Sequence, residues 1–189
     1  MHPECIICKN HTGPCIKTSI EIFAPLLYNL ICAAGFGKGT VMQIRLMTID
    51  DYEAVHALWM TIKGFAIRSV DDSREGVKRF LMRNPTTSVV AVEDGNIVGA
   101  ILCGHDGRRG CLYHVCVHPD HRRRGIGRSM VVFCMNALKK EKISKVSLIA
   151  FTANDIGNAF WKTIGWTKRE DLNYYDFVLN SENIVNFNK

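Results

Sequence analysis

From Met42 onward the chain alternates between two hydrophobic periods. Met42–Met47 alternates apolar and polar residues and predicts a strand. A helical period follows, with Tyr52, Val55, Leu58, Trp59 and Ile62 on one face. Thr48 or Asp50 is placed to cap that helix and Gly64 to stop it. A second helix is predicted over Asp71–Met82, with Val77, Phe80 and Leu81 inward and Pro85 barring continuation. Ser88–Glu93 and Ile97–Gly104 are β-rich runs joined through Asp94-Gly95-Asn96, a tight hairpin signal. A polar turn, His105–Gly110, leads into Cys111–Val117, the predicted central strand. The next helix carries Ile126, Met130, Phe133, Cys134, Ala137 and Leu138 on one face and ends near Lys142. Lys145–Phe151 predicts a strand and Asn158–Ile164 a short helix stopped by Gly165. Trp166–Glu170 and Tyr174–Leu179 predict a closing pair of strands, and the polar tail from Asn180 is expected to fray. This is a mixed α/β order, which implies a twisted sheet with helices on its faces.

The junction after the central strand carries the candidate chemistry. Val115-Cys116-Val117 runs into a Pro-containing turn, then Arg122, Arg123 and Arg124, then Gly125-Ile126-Gly127-Arg128 opening a helix. Strand, basic glycine-containing turn and helix start form a recipe for holding phosphates. Glycine lets the backbone turn and approach closely. The unpaired N–H groups of the first helical turn and the helix dipole favour an anion there. Arginines add charge-assisted bonds.

Arg122-x-x-Gly125-x-Gly127 after an apolar strand resembles the acetyl-CoA signature of the GNAT superfamily of N-acetyltransferases. A second block is similar to the family's later Asn-x-x-Ala-x-x-Leu-Tyr-x-x-x-Gly-Phe: Asn154, Gly157, Phe160, Trp161, Gly165 and Trp166. Gly157 stands where Ala is usual and Trp161 where Tyr is usual. The resemblance spans Met42 to Leu179. It implies a mostly antiparallel, mixed central sheet of about seven strands flanked by four helices and splayed at its central strands. It also implies that the backbone of Val115, Cys116 and Val117 would hydrogen-bond the pantetheine arm of acetyl-CoA like an added strand. Arg122, Arg123, Arg124, Gly125, Ile126, Gly127 and Arg128 would hold the phosphates. Asn154, which could instead cap the last helix, and Trp161 would line the pantetheine path.

Acetyl transfer from a thioester to an amine has chemical requirements of its own. The attacking amine must be neutral, although a primary alkylamine has a pKa of about 10.4 in water. A base must take its proton. His114 on the central strand and His105 or Asp106 in the preceding turn are the candidates, because His titrates near neutrality. Tyr113 and Tyr174 are candidate acids, and each suits packing equally well. The family's usual acid is the Tyr of the second block, and an indole N–H at Trp161 is no acid. A thiolate with a pKa near ~8.5 can leave unaided. That departure keeps open a non-catalytic acyl-CoA-binding regulatory module as the alternative.

Composition narrows the remaining classes. The 189 residues carry a net charge of +6, modest enough to fit an anionic cosubstrate. Basic residues are not interleaved with aromatics, which disfavours nucleic acid. No stretch is long and apolar enough to cross a membrane. Four of the eight cysteines, Cys103, Cys111, Cys116 and Cys134, sit in apolar company. They read as free thiols of a reducing cytoplasm. A homodimer is left open. The expected partners are acetyl-CoA and an amine acceptor, whose identity the sequence does not name.

Residues 1–41 differ from the rest and are read as an N-terminal extension ahead of a domain over residues 42–189. Cys5-x-x-Cys8, His11 and Cys15 are zinc-ligand types, but their spacing is too short for a zinc pattern, so no metal is expected. Gly37-Lys38-Gly39 implies purine-rich codons just upstream of Met42, where a bacterial ribosome-binding site would lie. The expectation is that translation starts at Met42 and that residues 1–41 are leader sequence.

Overall fold

Two sets of apolar side chains, on opposite faces of the same strands, decide the layering. The computed structural model describes residues 41–188. Its elements are β1 (Met42–Leu46), α1 (Tyr52–Met60), β2 (Ala66–Arg68), α2 (Arg74–Arg83), β3 (Val89–Glu93), β4 (Asn96–His105), β5 (Gly110–Val117), α3 (Ile126–Lys140), β6 (Val146–Leu148), α4 (Asp155–Thr163) and β7 (Val185–Phe187). Ile101, Cys103 and Leu112 face Ile126, Met130, Cys134 and Leu138 of α3 in one core. Ala100, Leu102 and Cys116 face Val55, Leu58, Trp59, Val77 and Leu81 of α1 and α2 in the other. Phe160 and Trp161 of α4 join the α3 side. The helical faces anticipated from the 3.6-residue period are the faces that are buried.

The central sheet has the order β1-β3-β4-β5-β6, and β2 and β7 form a separate two-stranded sheet. The seven strands are therefore divided five and two. Every pair is antiparallel except β5 with β6. That parallel pairing covers only Gly110–Leu112 against Val146–Leu148. Beyond it the two strands part, and Tyr113–Val117 has β4 on one side and, among the described residues, no strand on the other. This is the splay the resemblance implied.

Three elements differ from expectation. Trp166–Glu170 and Tyr174–Leu179 form no strands, because no sheet edge of the described residues meets them. The strand predicted over Lys145–Phe151 contracts to the three residues that pair with β5. The tail does not fray. Val185–Phe187 pairs with Ala66–Arg68, and Asn188 Nδ2 donates to the carbonyls of Trp59 at 2.7 Å and Ile62 at 3.0 Å. Its polar side chains satisfy the open carbonyl end of α1, so polarity there signals capping rather than fraying. The N-terminal extension and its cysteines lie outside the described residues, apart from Val41.

Cys103, Cys116 and Cys134 are buried free thiols, and Cys111 is half-buried. Burial pushes the Cys116 thiol up to about 12, which makes it a packing group rather than a nucleophile.

Candidate active site

The loop between β5 and α3 is built around two left-handed residues, Arg123 (φ 63°) and Gly125 (φ 78°). Gly125 caps α3, and its carbonyl accepts the first helical bond, from Ser129 N. The N–H groups of Ile126 and Gly127 lie ahead of that bond, where a helix leaves its donors unpaired. Ile126 is buried in the α3-side core and anchors the helix start. A Cβ on Gly127 would lie 3.3 Å from the Phe160 ring and 3.7 Å from Val117 Cγ2. The helix start is thus seated against α4 and the end of β5.

The arginines of the loop divide their work. Arg122 Nε donates to the Val117 carbonyl at 3.0 Å, bracing the exit of the strand. Arg123 and Arg128 are exposed, with no partner among the described residues. Arg124 differs from expectation, because its guanidinium grips the buried carboxylate of Glu93 through both terminal nitrogens, one of them at 2.9 Å. His121 Nδ1 lies 2.6 Å from the same carboxylate. Arg124 holds the Glu93 carboxyl below its ordinary range, against the opposing effect of burial and with further help from His121. Arg124 therefore ties the loop to β3 instead of facing it as a free phosphate ligand. Beside the loop is a cavity of ≈ 310 Å³ lined by Glu93, Asp94, Asn96, Ile97, Val98, His118 and His121. None of the candidate catalytic residues lines it.

The central strand is irregular where the splay begins. Leu102 pairs with Tyr113 and Ala100 with Cys116, so His114 and Val115 together oppose Ile101 alone. This is a β-bulge, with His114 at φ 47°. The bulge sends Tyr113 and His114 to the same side of the sheet. Tyr113 meets Phe80 edge-on at 5.9 Å, and His114 packs on Trp59 at 4.6 Å and Phe65 at 5.5 Å. Val115 and Val117 pack instead against the α3-side core, and Cys116 is buried on the α1 side.

His114 Nε2 lies 2.7 Å from Asp72 Oδ1, with side-chain exposures of 12% and 7%. Asp72 Oδ2 accepts from Arg68 N at 2.7 Å, so both carboxylate oxygens are engaged. An ionised carboxylate only accepts, so Nε2 is the nitrogen that donates to Asp72. The helix predicted over Asp71–Met82 would include Asp72, but α2 starts at Arg74. Ser73 caps α2 by accepting from Gly76 N at 3.1 Å, which leaves Asp72 outside the helix and turned inward. Asp71, Asp72 and Ser73 are comparable N-cap residues, so the sequence alone does not say which of them caps α2. Trp59 Nε1 is a buried side-chain nitrogen without a hydrogen-bond partner among the described residues.

The remaining candidates stand apart from His114. Asp106 is exposed and accepts from Arg108 N at 2.7 Å and Arg109 N at 2.6 Å. Those bonds lower its pKa, Arg109 first, and make it a turn-former with weakened basicity. His105 pairs with Gly110, four strand residues from His114 and so roughly 13 Å away. Its Nδ1 accepts from Gly107 N. Burial pushes the Tyr113 phenol well above its ordinary value, with the Cys111 thiol adding to the effect. Tyr174 is exposed.

Asn154 caps α4, accepting from Gly157 N at 2.9 Å. The departure at 157 has a physical reason: a Cβ there would lie 2.5 Å from Asn154 Nδ2. Glycine lets the Asn154 amide fold down over the helix start. Trp161 packs between Phe160 at 4.9 Å and Trp166 at 5.0 Å, half-buried against the core.

Comparisons with known proteins assign this architecture. The family model described as acetyltransferase (GNAT) family matches residues 52–166. An acetyltransferase of Pectobacterium atrosepticum is 35% identical over 114 residues, 60% of this chain and 79% of its own. The N-acetyltransferase PaiA of Thermoplasma acidophilum, solved with coenzyme A, superposes with a TM-score of 0.60 at 15% identity, over 76% of this chain and 96% of that one. The aminoglycoside N-acetyltransferase AAC(6')-Iy, solved with a CoA-acetylneamine bisubstrate analogue, gives 0.58 at 18% identity, over 72% and 98%. The chain belongs to the GNAT family and is an acetyltransferase.

Proposed function

We propose that the protein transfers the acetyl group of acetyl-CoA to a primary amine of a small molecule or a protein. The observation that carries this reading is the His114–Asp72 pair at 2.7 Å, set in the bulge where β5 parts from β6. In this account His114 Nδ1 accepts the proton of the attacking amine, and Asp72 is a positioning residue that fixes the tautomer and ring. Backbone N–H groups along the free edge of Tyr113–Val117 donate to the carbonyl oxygen as charge builds on it. The residues present fit the cosubstrate. The first-turn N–H groups of α3 and the exposed Arg123 and Arg128 would hold its phosphates, with Arg122 beside them and Arg124 holding the loop in shape. Acetyl-CoA would supply an activated thioester, and position 161 offers an indole rather than a phenol to the thiolate that leaves.

No metal is invoked, and no cluster of potential metal ligands occurs among the described residues. Likewise no described helix is long and apolar enough to cross a membrane. The proposal extends to a cytoplasmic location, a catalytic domain over residues 42–189 distinct from residues 1–41, and a homodimeric working unit.

The test is steady-state release of CoA with a panel of aminoglycoside, polyamine and peptide amines. His114→Ala should lower kcat by about 10²–10⁴-fold with KM for acetyl-CoA nearly unchanged, and added imidazole should restore part of the rate. Asp72→Asn should lower kcat less, again sparing KM. A wild-type rate in His114→Ala would refute the assignment. Tight CoA binding without turnover on any amine would favour the regulatory-module reading.

A further inference from the structure

Asp72 reaches His114 from a turn that is short and mostly exposed. Arg68 N donates to Asp72 Oδ2 at 2.7 Å, and Asp72 N donates back to the Arg68 carbonyl at 3.0 Å. The turn thereby aims the carboxylate. Its lead-in carries Phe65, whose ring lies 5.5 Å from that of His114. Residues 65–72 thus set two sides of the imidazole. Yet Arg68, Ser69 and Asp71 are exposed, and β2 is only three residues long. From α1, the Tyr52 hydroxyl donates to the Asp72 carbonyl at 3.0 Å and secures one end of the turn.

The rest of the hold comes from residues 182–188. Ser69 N donates to the Ile184 carbonyl at 2.9 Å, Ile184 N donates to Ser69 Oγ at 2.9 Å, and Asn188 N donates to the Phe65 carbonyl at 3.0 Å. Asn183 makes the contact nearest Asp72. Its Oδ1 accepts from Val70 N at 3.0 Å and from Asp71 N at 3.3 Å, and its Nδ2 donates to Asp71 Oδ2 at 2.7 Å. Both lone pairs of the amide oxygen and one amide hydrogen are therefore spent on two adjacent residues, 113 and 112 positions away. Neither backbone N–H has another partner among the described residues. Asparagine side chains ordinarily bond their own or neighbouring backbone. A half-buried one devoted to a distant turn is fixing that turn.

We propose that Asn183 is a positioning residue for acetyl transfer, clamping Val70 and Asp71 so that Asp72 stays on His114 Nε2. The inference rests on the His114–Asp72 reading of the site. Val70 is half-buried and Asp71 exposed, so their freed N–H groups rehydrate and removal of the amide costs the fold little. Catalysis is less forgiving, because a displacement of ~1 Å in the reacting geometry can cost about 10²-fold in rate. The loss falls on kcat and not on KM for acetyl-CoA, since the phosphate loop is tied to Val117 and Glu93 rather than to this turn.

Kinetics with the fastest amine of the panel, and hydrogen exchange of the Arg68 amide, test this in the full chain. Asn183→Ala should lower kcat about tenfold and leave KM for acetyl-CoA nearly unchanged. It should also speed exchange at Arg68, whose N–H donates to Asp72. In an Asp72→Ala background the same substitution should change kcat little, because the carboxylate it positions is gone. Asn183→Asp sets a second carboxylate against Asp71 and should also lower kcat. Adding Asp71→Asn exchanges donor and acceptor across that contact and should restore most of the rate. Unchanged kcat or unchanged Arg68 exchange in Asn183→Ala, while His114→Ala is impaired, would overturn the clamp and keep the pair. So would full, additive losses in the double variant, or no recovery with Asp71→Asn. A wild-type rate in His114→Ala would overturn both.

Discussion

Glu93→Gln isolates the clamp that shapes the phosphate loop. The wild-type carboxylate is 5% exposed and receives Arg124 on both oxygens and His121 at 2.6 Å. Glutamine keeps the volume and one acceptor oxygen, but it loses the charge and the two-pronged grip. Hydrogen bonds to charged groups contribute about 1.5–3 kcal/mol each, and breaking a buried ion pair costs about 3–5 kcal/mol. Both figures need discounting, because the Arg124 and His121 side chains are 34% and 29% exposed and can rehydrate once released. A net loss of about 1–3 kcal/mol is left, a fall in Tm on the order of 5 °C for a chain of this size. The freed loop no longer holds its N–H groups in place, so Kd for CoA should rise about tenfold, equivalent to ~1.4 kcal/mol.

The pH dependence follows from the direction of the shift. Glu93 is held below its ordinary value when folded, chiefly by Arg124. Its stabilisation is therefore full above the unfolded value of about 4.3 and is lost as pH falls through the lowered folded value. The Tm difference between wild type and Glu93→Gln should accordingly be complete at neutral pH and close on the acid side. Differential scanning fluorimetry across pH and calorimetric titration with CoA supply both readouts. An unchanged Tm together with an unchanged Kd would refute the clamp.

Other substitutions probe the remaining parts of the site. Gly125→Glu has open space around its Cβ but must adopt φ 78°. It should cost roughly 1–2 kcal/mol of stability and abolish CoA binding in calorimetry, because it sets a negative charge where the helix start favours an anion. Trp161→Tyr loses part of the contacts with Phe160 and Trp166, for about 1–2 kcal/mol by thermal melt. It should raise kcat at constant KM if departure of the thiolate limits the rate, and a sharp fall would show that the indole shapes the channel. Gly157→Ala should displace the Asn154 amide. The ~1 kcal/mol cost of Asn154→Ala should then shrink in the Gly157→Ala background, measured as a double-mutant cycle.

Much of the framework was legible because it rests on local periods. The buried face of α1, the Asp94-Gly95 hairpin and the face of α3 need only side-chain spacing and turn chemistry. What escaped depends on distant partners. Asp72 and His114 are 42 residues apart, and no local pattern says that they meet. Arg124 looked identical to its neighbours until Glu93, from another strand, claimed it. β2 has no alternation over its three residues, and it is a strand only because Val185–Phe187 lies against it. Tyr174–Leu179 shows the reverse case: strand-forming composition without a paired edge gives no strand among the described residues.

The bulge at His114–Val115 also decides which kinds of sequence change this protein can tolerate. Along a regular strand, Leu112, His114 and Cys116 would share one face. The extra residue instead groups Leu112, Val115 and Val117 toward α3, and Tyr113, His114 and Cys116 toward α1 and α2. Substitutions in this stretch therefore perturb one side chain at a time. Loss of Tyr113 or His114 would remove the bulge, restore strict alternation and leave the side chains that follow on their present faces, so the damage falls on the site rather than on the two cores. In a library of variants, in-frame deletions of Tyr113 or His114 should therefore be depleted more strongly under selection for turnover than under selection for folding.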